Sequence, residues 1–240
     1  MELRIFQKGF NYSQDGPGNR LVYHLQGCNM RCPWCANPEG MSLEGGKAVD
    51  VDAIVQEVQR SRSMFFDGGG VTFTGGEPTM QFESLSELLT KLKEMGIHTA
   101  IETNGTNPRL PELFDRLDAI MMDFKQPFPE KHRQHTGVPL DALLRNLTLA
   151  TEQGKSLLIR IPMINGYNTN PEDMAEFAKI LSGLKGENLR IELLRYHEYG
   201  RNKWERLGRP YEVENGFVSD AQYLMFKNIL KENGLTIVTT

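Results

Sequence analysis

All three cysteines of the chain fall in one short stretch, Cys28-Asn-Met-Arg-Cys32-Pro-Trp-Cys35, and no other cysteine occurs among the 240 residues. Thiolates so closely spaced suit soft metals. On a cubane iron–sulfur cluster three of them leave one iron without a protein ligand, whereas electron-transfer clusters are held by four cysteines. An open iron can take a substrate. Zinc is an alternative, but structural zinc wants four ligands, and the fourth would have to be a residue such as His24. Buried structural thiols are another, although these scatter along a chain rather than gather in one loop. A disulfide framework fits poorly, because the count is odd and the enclosed loops are short.

The elements that must position this loop alternate. Short apolar runs at 20–27, 71–74, 98–102, 119–124, 157–162 and 189–194 predict six strands. Between them, Leu85, Leu88, Leu89 and Leu92 recur at helical spacing. So do Leu140, Leu143, Leu144 and Leu147, and then Met174, Phe177, Ala178 and Leu181. Asn170-Pro171-Glu172-Asp173 predicts a helix start, Ser219 with Gln222 a capping box, and Gly96, Gly154 and Gly234 helix ends. Repeated βα units imply a parallel sheet. A full eight-stranded barrel takes about 250 residues and eight such units. Six units predict an α/β fold of the incomplete (β/α)6 TIM-like type, open on one side, in a single domain over residues 1–240.

The remaining chemistry falls near strand C-terminal ends, where barrel enzymes build their sites. Gly75 and Gly76 follow a strand directly and let the backbone approach a ligand closely, or else make a plain tight turn. The glycine run from Gly68 lacks a Gly-Lys-Ser/Thr signature, so it is not a nucleotide-triphosphate loop. Lys125 and Arg160 are charges on apolar strands, and a buried cation needs a partner. Asp123 stands ready to orient neighbouring backbone.

The cysteine loop with Trp34 before its last member resembles that of the radical S-adenosylmethionine (SAM) superfamily. Further stretches narrow the resemblance to the glycyl-radical-enzyme activases of the pyruvate formate-lyase type. These are Asp15-Gly16-Pro17-Gly18, the run from Gly68 to Gly75-Gly76-Glu77-Pro78, Glu102-Thr103-Asn104-Gly105, Met121-Met122-Asp123-Phe124-Lys125, and Tyr196-His197-Glu198-Tyr199-Gly200 followed by Lys203-Trp204. The resemblance implies that Cys28, Cys32 and Cys35 hold one [4Fe-4S] cluster and that SAM is the cosubstrate. It implies that Gly75, Gly76 and Glu77 meet the SAM amino group, Lys125 and Arg160 its carboxylate and His197 its nucleoside, with Trp34 beside the cluster or adenine.

By the same resemblance Glu102, Thr103 and Met121 form a monovalent-cation site. Glu102 stands where that activase has an aspartate and reaches one methylene further, and Met121 reads equally well as a core strand residue. Asp15, Gly16, Pro17 and Gly18 contact the partner's glycine loop, although the same four residues make a good turn. The activity implied is reductive cleavage of SAM to methionine and a 5′-deoxyadenosyl radical. The radical abstracts hydrogen from a glycine of a partner glycyl radical enzyme, pyruvate formate-lyase or a related one, with flavodoxin or a similar low-potential donor as reductant.

Two features bear on the branch of the family. Between Cys35 and Val51 the chain has no further cysteine and hence no ferredoxin-like insert, whereas Cys35-Ala36-Asn37-Pro38 departs from the Cys-His-Asn of the pyruvate formate-lyase type. A radical SAM enzyme for a small molecule, or a zinc-stabilised binding module, would share the cysteines. The net charge of −4 argues against nucleic acid as partner. No apolar run reaches the roughly 18 residues of a membrane span. Scarce cysteines and no leader-like segment suit the cytoplasm. Arg195, Arg201, Lys203, Arg206 and Arg209 form the most basic stretch, either a solvated run or a docking patch for the partner or an acidic electron donor.

Overall fold

The computed structural model describes residues 1–239. They form two units interleaved along the chain, the first from Met1–Asn29, Glu39–Thr103 and Arg109–Met121, the second from Met30–Pro38, Asn104–Pro108 and Met122 onward.

In the first unit the strands lie in the order β3 (Lys47–Asp50), β1 (Glu2–Tyr12), β2 (Asn19–Leu25), β4 (Gly70–Gly75), β5 (Thr99–Thr103), then β6 (Ala119–Asp123). The pairs β3–β1 and β1–β2 are antiparallel. The pairs β2–β4 and β4–β5 are parallel, Val22 opposite Thr72 and Thr72 opposite Ala100. Parallel strands covered on both faces read as nearly continuous apolar runs, which is how β2 and β4 are buried. Helix α1 (Val51–Arg60) buries Val51, Ile54 and Val58, and α2 (Phe82–Glu94) buries the four leucines predicted to share a face.

The second unit begins where β6 ends. The Phe124 N–H donates to the Arg160 carbonyl at 2.8 Å, which sets the end of β6 beside β7 (Leu157–Met163). Strand β8 (Leu189–Arg195) pairs parallel to β7, and the short β9 (Ile237–Val238) parallel to β8. Helices α3 (Pro129–Thr136), α4 (Asp141–Glu152), α5 (Pro171–Ser182), α6 (Arg201–Arg206) and α7 (Asp220–Glu232) complete it. Phe124, Phe177 and Phe226 form the aromatic centre, with Phe124 edge-on to Phe177 at 4.9 Å between centroids.

All six predicted strands are present, and β1, β3 and β9 are additional. Asn170 caps α5 through Asp173 N–H at 2.8 Å, and Ser219 and Gln222 make the reciprocal capping box of α7. Gly96, Gly154 and Gly234 adopt the left-handed conformation just past α2, α4 and α7. Among the described residues no helix is long and apolar enough to cross a membrane.

Asp15–Gly18 lies in the hairpin connection from β1 to β2. Beside it Arg20 is fully buried and donates to Thr72 Oγ1 (2.6 Å), Pro17 O (3.1 Å), Val71 O (2.7 Å) and His98 O (3.4 Å). Its Nη1 also lies 3.3 Å from His98 Nδ1. Desolvation lowers the Arg20 pKa to about 10, so the guanidinium stays charged at neutral pH. Since Arg20 can only donate, His98 Nδ1 must accept, and burial and the adjacent cation hold His98 below its ordinary value. The unfolded chain therefore binds a proton at His98 that the folded chain refuses, and stability falls as the pH drops below about 6.5.

Arg20→Met leaves several buried acceptors without their donor and should lower the unfolding free energy by about 3 kcal/mol. Ser219→Ala removes one exposed cap and should cost about 1 kcal/mol. Urea unfolding of the two variants checks this order, and equal losses would contradict the central place given to Arg20.

Candidate active site

Residues 30–38, which hold Cys32 and Cys35, contain almost no regular structure, so their backbone must find partners elsewhere. At one end the Arg31 N–H donates to Thr136 O at 2.8 Å, one of the last carbonyls of α3. At the other, the Trp204 indole N–H donates to Cys35 O at 2.9 Å and Lys203 Nζ to Asn37 Oδ1 at 2.7 Å. Gly200 lets this approach happen: a Cβ there would stand 2.4 Å from the Cys35 carbonyl oxygen. Between the two anchors Trp34 is packed against His135 and Tyr167, ring centroids 6.3 and 5.1 Å away. Burial raises the Tyr167 pKa and lowers that of His135, so both rings are neutral at neutral pH.

None of the three cysteines forms a disulfide, and Cys32 is buried while Cys28 and Cys35 are partly covered. The Asn37 N–H points at Cys35 Sγ at 3.4 Å, a donor that favours thiolate. In the first unit Cys28 follows β2, and its N–H donates to Met41 O at 3.3 Å. Among the described residues no three His, Cys, Asp or Glu side chains stand grouped as a metal site.

The Gly75-Gly76-Glu77 turn is also in the first unit. The Gly76 N–H donates to Leu25 O and the Glu77 N–H to Gly27 O, which ties the ends of β2 and β4. A Cβ on Gly76 would fall 2.2 Å from Gly27 O and 2.5 Å from Gly40 O. Its glycine is therefore demanded by the protein's own backbone. Glu77 is 1% exposed, and its Oε1 accepts from Thr79 N (3.0 Å), Thr79 Oγ1 (2.6 Å) and Thr103 Oγ1 (2.7 Å). Glu102 accepts from Thr74 Oγ1 at 2.7 Å, and Met121 is buried on β6. Glu77, Thr79 and Thr103 are thus joined directly.

In the second unit the two cations have protein partners. Lys125 pairs with Asp123 at 2.6 Å, and Arg160 Nε with Glu192 at 2.9 Å, with both members of the latter pair nearly fully buried. Sequence reading asked for a partner to Arg160 and did not find Glu192, which lies directly opposite it on the neighbouring strand. It also missed Asn168, buried after β7, whose amide donates to Lys125 O (2.8 Å) and Pro162 O (2.6 Å) and accepts from Ile164 N–H (2.8 Å). One side chain thereby ties together the ends of β6 and β7. His197 is exposed and stacked on Tyr199 at 4.1 Å. Desolvation lowers its pKa, so it presents a neutral imidazole.

Asp15–Gly18 stands apart. It precedes β2, whereas Cys28 and the Gly75–Glu77 turn follow the C-terminal ends of β2 and β4, about 20 Å away along the strands.

A profile of the radical SAM superfamily matches residues 22–178. The 4-hydroxyphenylacetate decarboxylase activating enzyme of Clostridioides difficile is 31% identical over 303 aligned positions, covering 98% of this chain and 95% of that protein. The pyruvate formate-lyase-activating enzyme of Streptococcus mutans is 34% identical over 212 positions, covering 84% of this chain and 80% of that one. The crystal structure of a domain of pyruvate-formate lyase-activating enzyme from Bacteroides vulgatus superposes with a TM-score of 0.59 at 27% identity, over 71% of this chain and 98% of that one.

The fold shared with these relatives is the expected α/β type, an incomplete (β/α)6 barrel open on one side. Its cofactors are a [4Fe-4S] cluster and SAM. The chain belongs to the radical SAM superfamily, as one of its glycyl-radical-enzyme activases.

Proposed function

We propose that this activase serves a glycyl radical enzyme of the pyruvate formate-lyase type. The observation that carries the reading is the length of the alignments. The match to the Clostridioides difficile relative spans 303 positions against a chain of 240, so dozens of that relative's residues have no counterpart here. The match to the Streptococcus mutans pyruvate formate-lyase-activating enzyme runs over 212 positions with few gaps. In this reading the chain works as one domain, in the cytoplasm, with flavodoxin or a similar low-potential protein as electron donor.

The residues fit the cluster in their chemistry. Three cysteines that form no disulfide fall within eight residues of sequence, a backbone N–H faces Cys35 Sγ, and the sequence has no fourth cysteine. Cys28, Cys32 and Cys35 would hold three irons and leave the fourth to SAM. When bound, the cluster supplies the electron that cleaves SAM to methionine and a 5′-deoxyadenosyl radical, which takes a hydrogen atom from a glycine Cα of the partner.

The chain supplies placement and exclusion of water. Glu77, held in one position by Thr79 and Thr103, offers a buried carboxylate to the SAM ammonium. Lys125 and Arg160, fixed by Asp123 and Glu192, are the cations set near the SAM carboxylate. Trp34, wedged against His135 and Tyr167, keeps the cluster loop dry. His197 meets the nucleoside as a neutral ring. Glu102, Thr103 and Met121 remain the candidates for a monovalent cation, and Asp15–Gly18 for contact with the partner's glycine loop.

Cys35→Ala should leave fewer than half of the roughly four irons per chain bound by the wild type after anaerobic reconstitution, and should abolish SAM cleavage under dithionite. Retained cleavage would refute the ligand assignment. Mixed with SAM, dithionite and pyruvate formate-lyase, the wild type should raise a glycyl doublet in electron paramagnetic resonance. A doublet formed only with a different glycyl radical enzyme would refute the pyruvate formate-lyase assignment. Asn168→Ala, which frees buried backbone groups at Lys125, Pro162 and Ile164, should lower stability by about 2 kcal/mol. It should also raise the Kd for SAM about tenfold, and calorimetry showing unchanged SAM affinity would remove Asn168 from the site.

A further inference from the structure

We propose that α6 and its flanks, residues 199–209, form the docking surface for the electron donor, a one-electron carrier protein with an acidic face. The inference rests on the radical SAM reading and locates where its electron enters.

The stretch is joined to the cysteine loop by three contacts of different kinds. Trp204 holds the Cys35 carbonyl, Lys203 holds Asn37, and Gly200 meets the Cys35 backbone with no side chain between them. Electron transfer falls steeply with distance, so a donor gains most by docking on an element that touches the ligand loop itself. The other face of α6 and its flanks is open. Tyr199 is 80% exposed and Leu207 44% exposed, and the side chains of Arg201, Arg206 and Arg209 are exposed around them. An exposed aromatic and an aliphatic residue set among arginines have the composition of a protein interface.

The charge identifies the occupant. Between 195 and 209 the chain places Arg195, Arg201, Lys203, Arg206 and Arg209 against Glu198 and Glu205, a cationic excess within a chain of net charge −4. Arg195 is engaged by Asp220 and Arg201 by Glu198, both as exposed pairs that solvent screens and a partner can replace. A carrier with an acidic rim around its redox group would be steered to this patch. The carrier would give up one electron and be oxidised by one, and the cluster that Cys28, Cys32 and Cys35 would hold would be the acceptor of that electron.

The test uses the double variant Arg201→Glu with Arg206→Glu, two residues that do not hold the cysteine loop, and reduced flavodoxin as the probe. Anaerobic calorimetry at low ionic strength should show the Kd for flavodoxin rising about tenfold or more, with most of its salt dependence lost. SAM cleavage driven by dithionite should equal that of the wild type, while cleavage driven by flavodoxin falls by a similar factor. Unchanged flavodoxin binding overturns the proposal. So does a loss that appears only as weakened binding of the glycyl radical enzyme, which would make the patch that partner's site. A wild type that cleaves no SAM with dithionite would instead overturn the radical SAM reading itself.

Discussion

The structure depends on how an irregular loop bearing Cys32 and Cys35 is held still. Residues 30–38 gain almost nothing from helix or strand hydrogen bonding, so their position is set by what grips them from outside. The C-terminus of α3 accepts the Arg31 N–H, the Trp204 indole engages the Cys35 carbonyl, and Trp34 is pinned by His135 and Tyr167. Each grip comes from a segment whose role is not written in the cysteine motif. The motif supplies the thiols, and α3 and α6 hold the stretch that carries Cys32 and Cys35.

A second constraint acts at the C-terminal ends of β2 and β4. Backbone meets backbone there so closely that Gly76 admits no side chain, and Glu77 is delivered into a buried position where two threonines satisfy it. A buried carboxylate is costly unless hydrogen-bonded, and Thr79 and Thr103 offset that cost. The same logic appears in the second unit, where Arg160 and Glu192 face each other across parallel strands and Lys125 leans on Asp123. In each unit the protein makes its own charges tolerable by pairing or hydrogen-bonding them.

What could be read in the sequence follows from the range of each signal. The six strands and the Leu85, Leu143 and Met174 faces rest on local periodicity, and all are present. Strand β1 escaped notice because only Leu3 and Ile5 alternate inward before it turns outward to solvent, and β3 because it has four residues. The cysteine motif is legible as a motif because its three members lie within eight residues. Glu192 and Asn168 were not, because they lie 32 and 43 residues from Arg160 and Lys125, the residues they serve, and no spacing rule connects them. Arg20 was read only as the start of a strand, since nothing local shows that its guanidinium reaches the ends of two others. Gly76 was recognised for its type, and its cause lies in Gly27 and Gly40, distant in sequence.

The central claim is that the chain leaves one iron of its cluster to SAM. Mössbauer spectroscopy of protein reconstituted anaerobically with 57Fe tests it most directly. On adding SAM, one iron site should shift to a higher-coordinate signature while the three thiolate-bound sites stay unchanged. A spectrum indifferent to SAM, or a purified protein whose metal is zinc, would contradict the account.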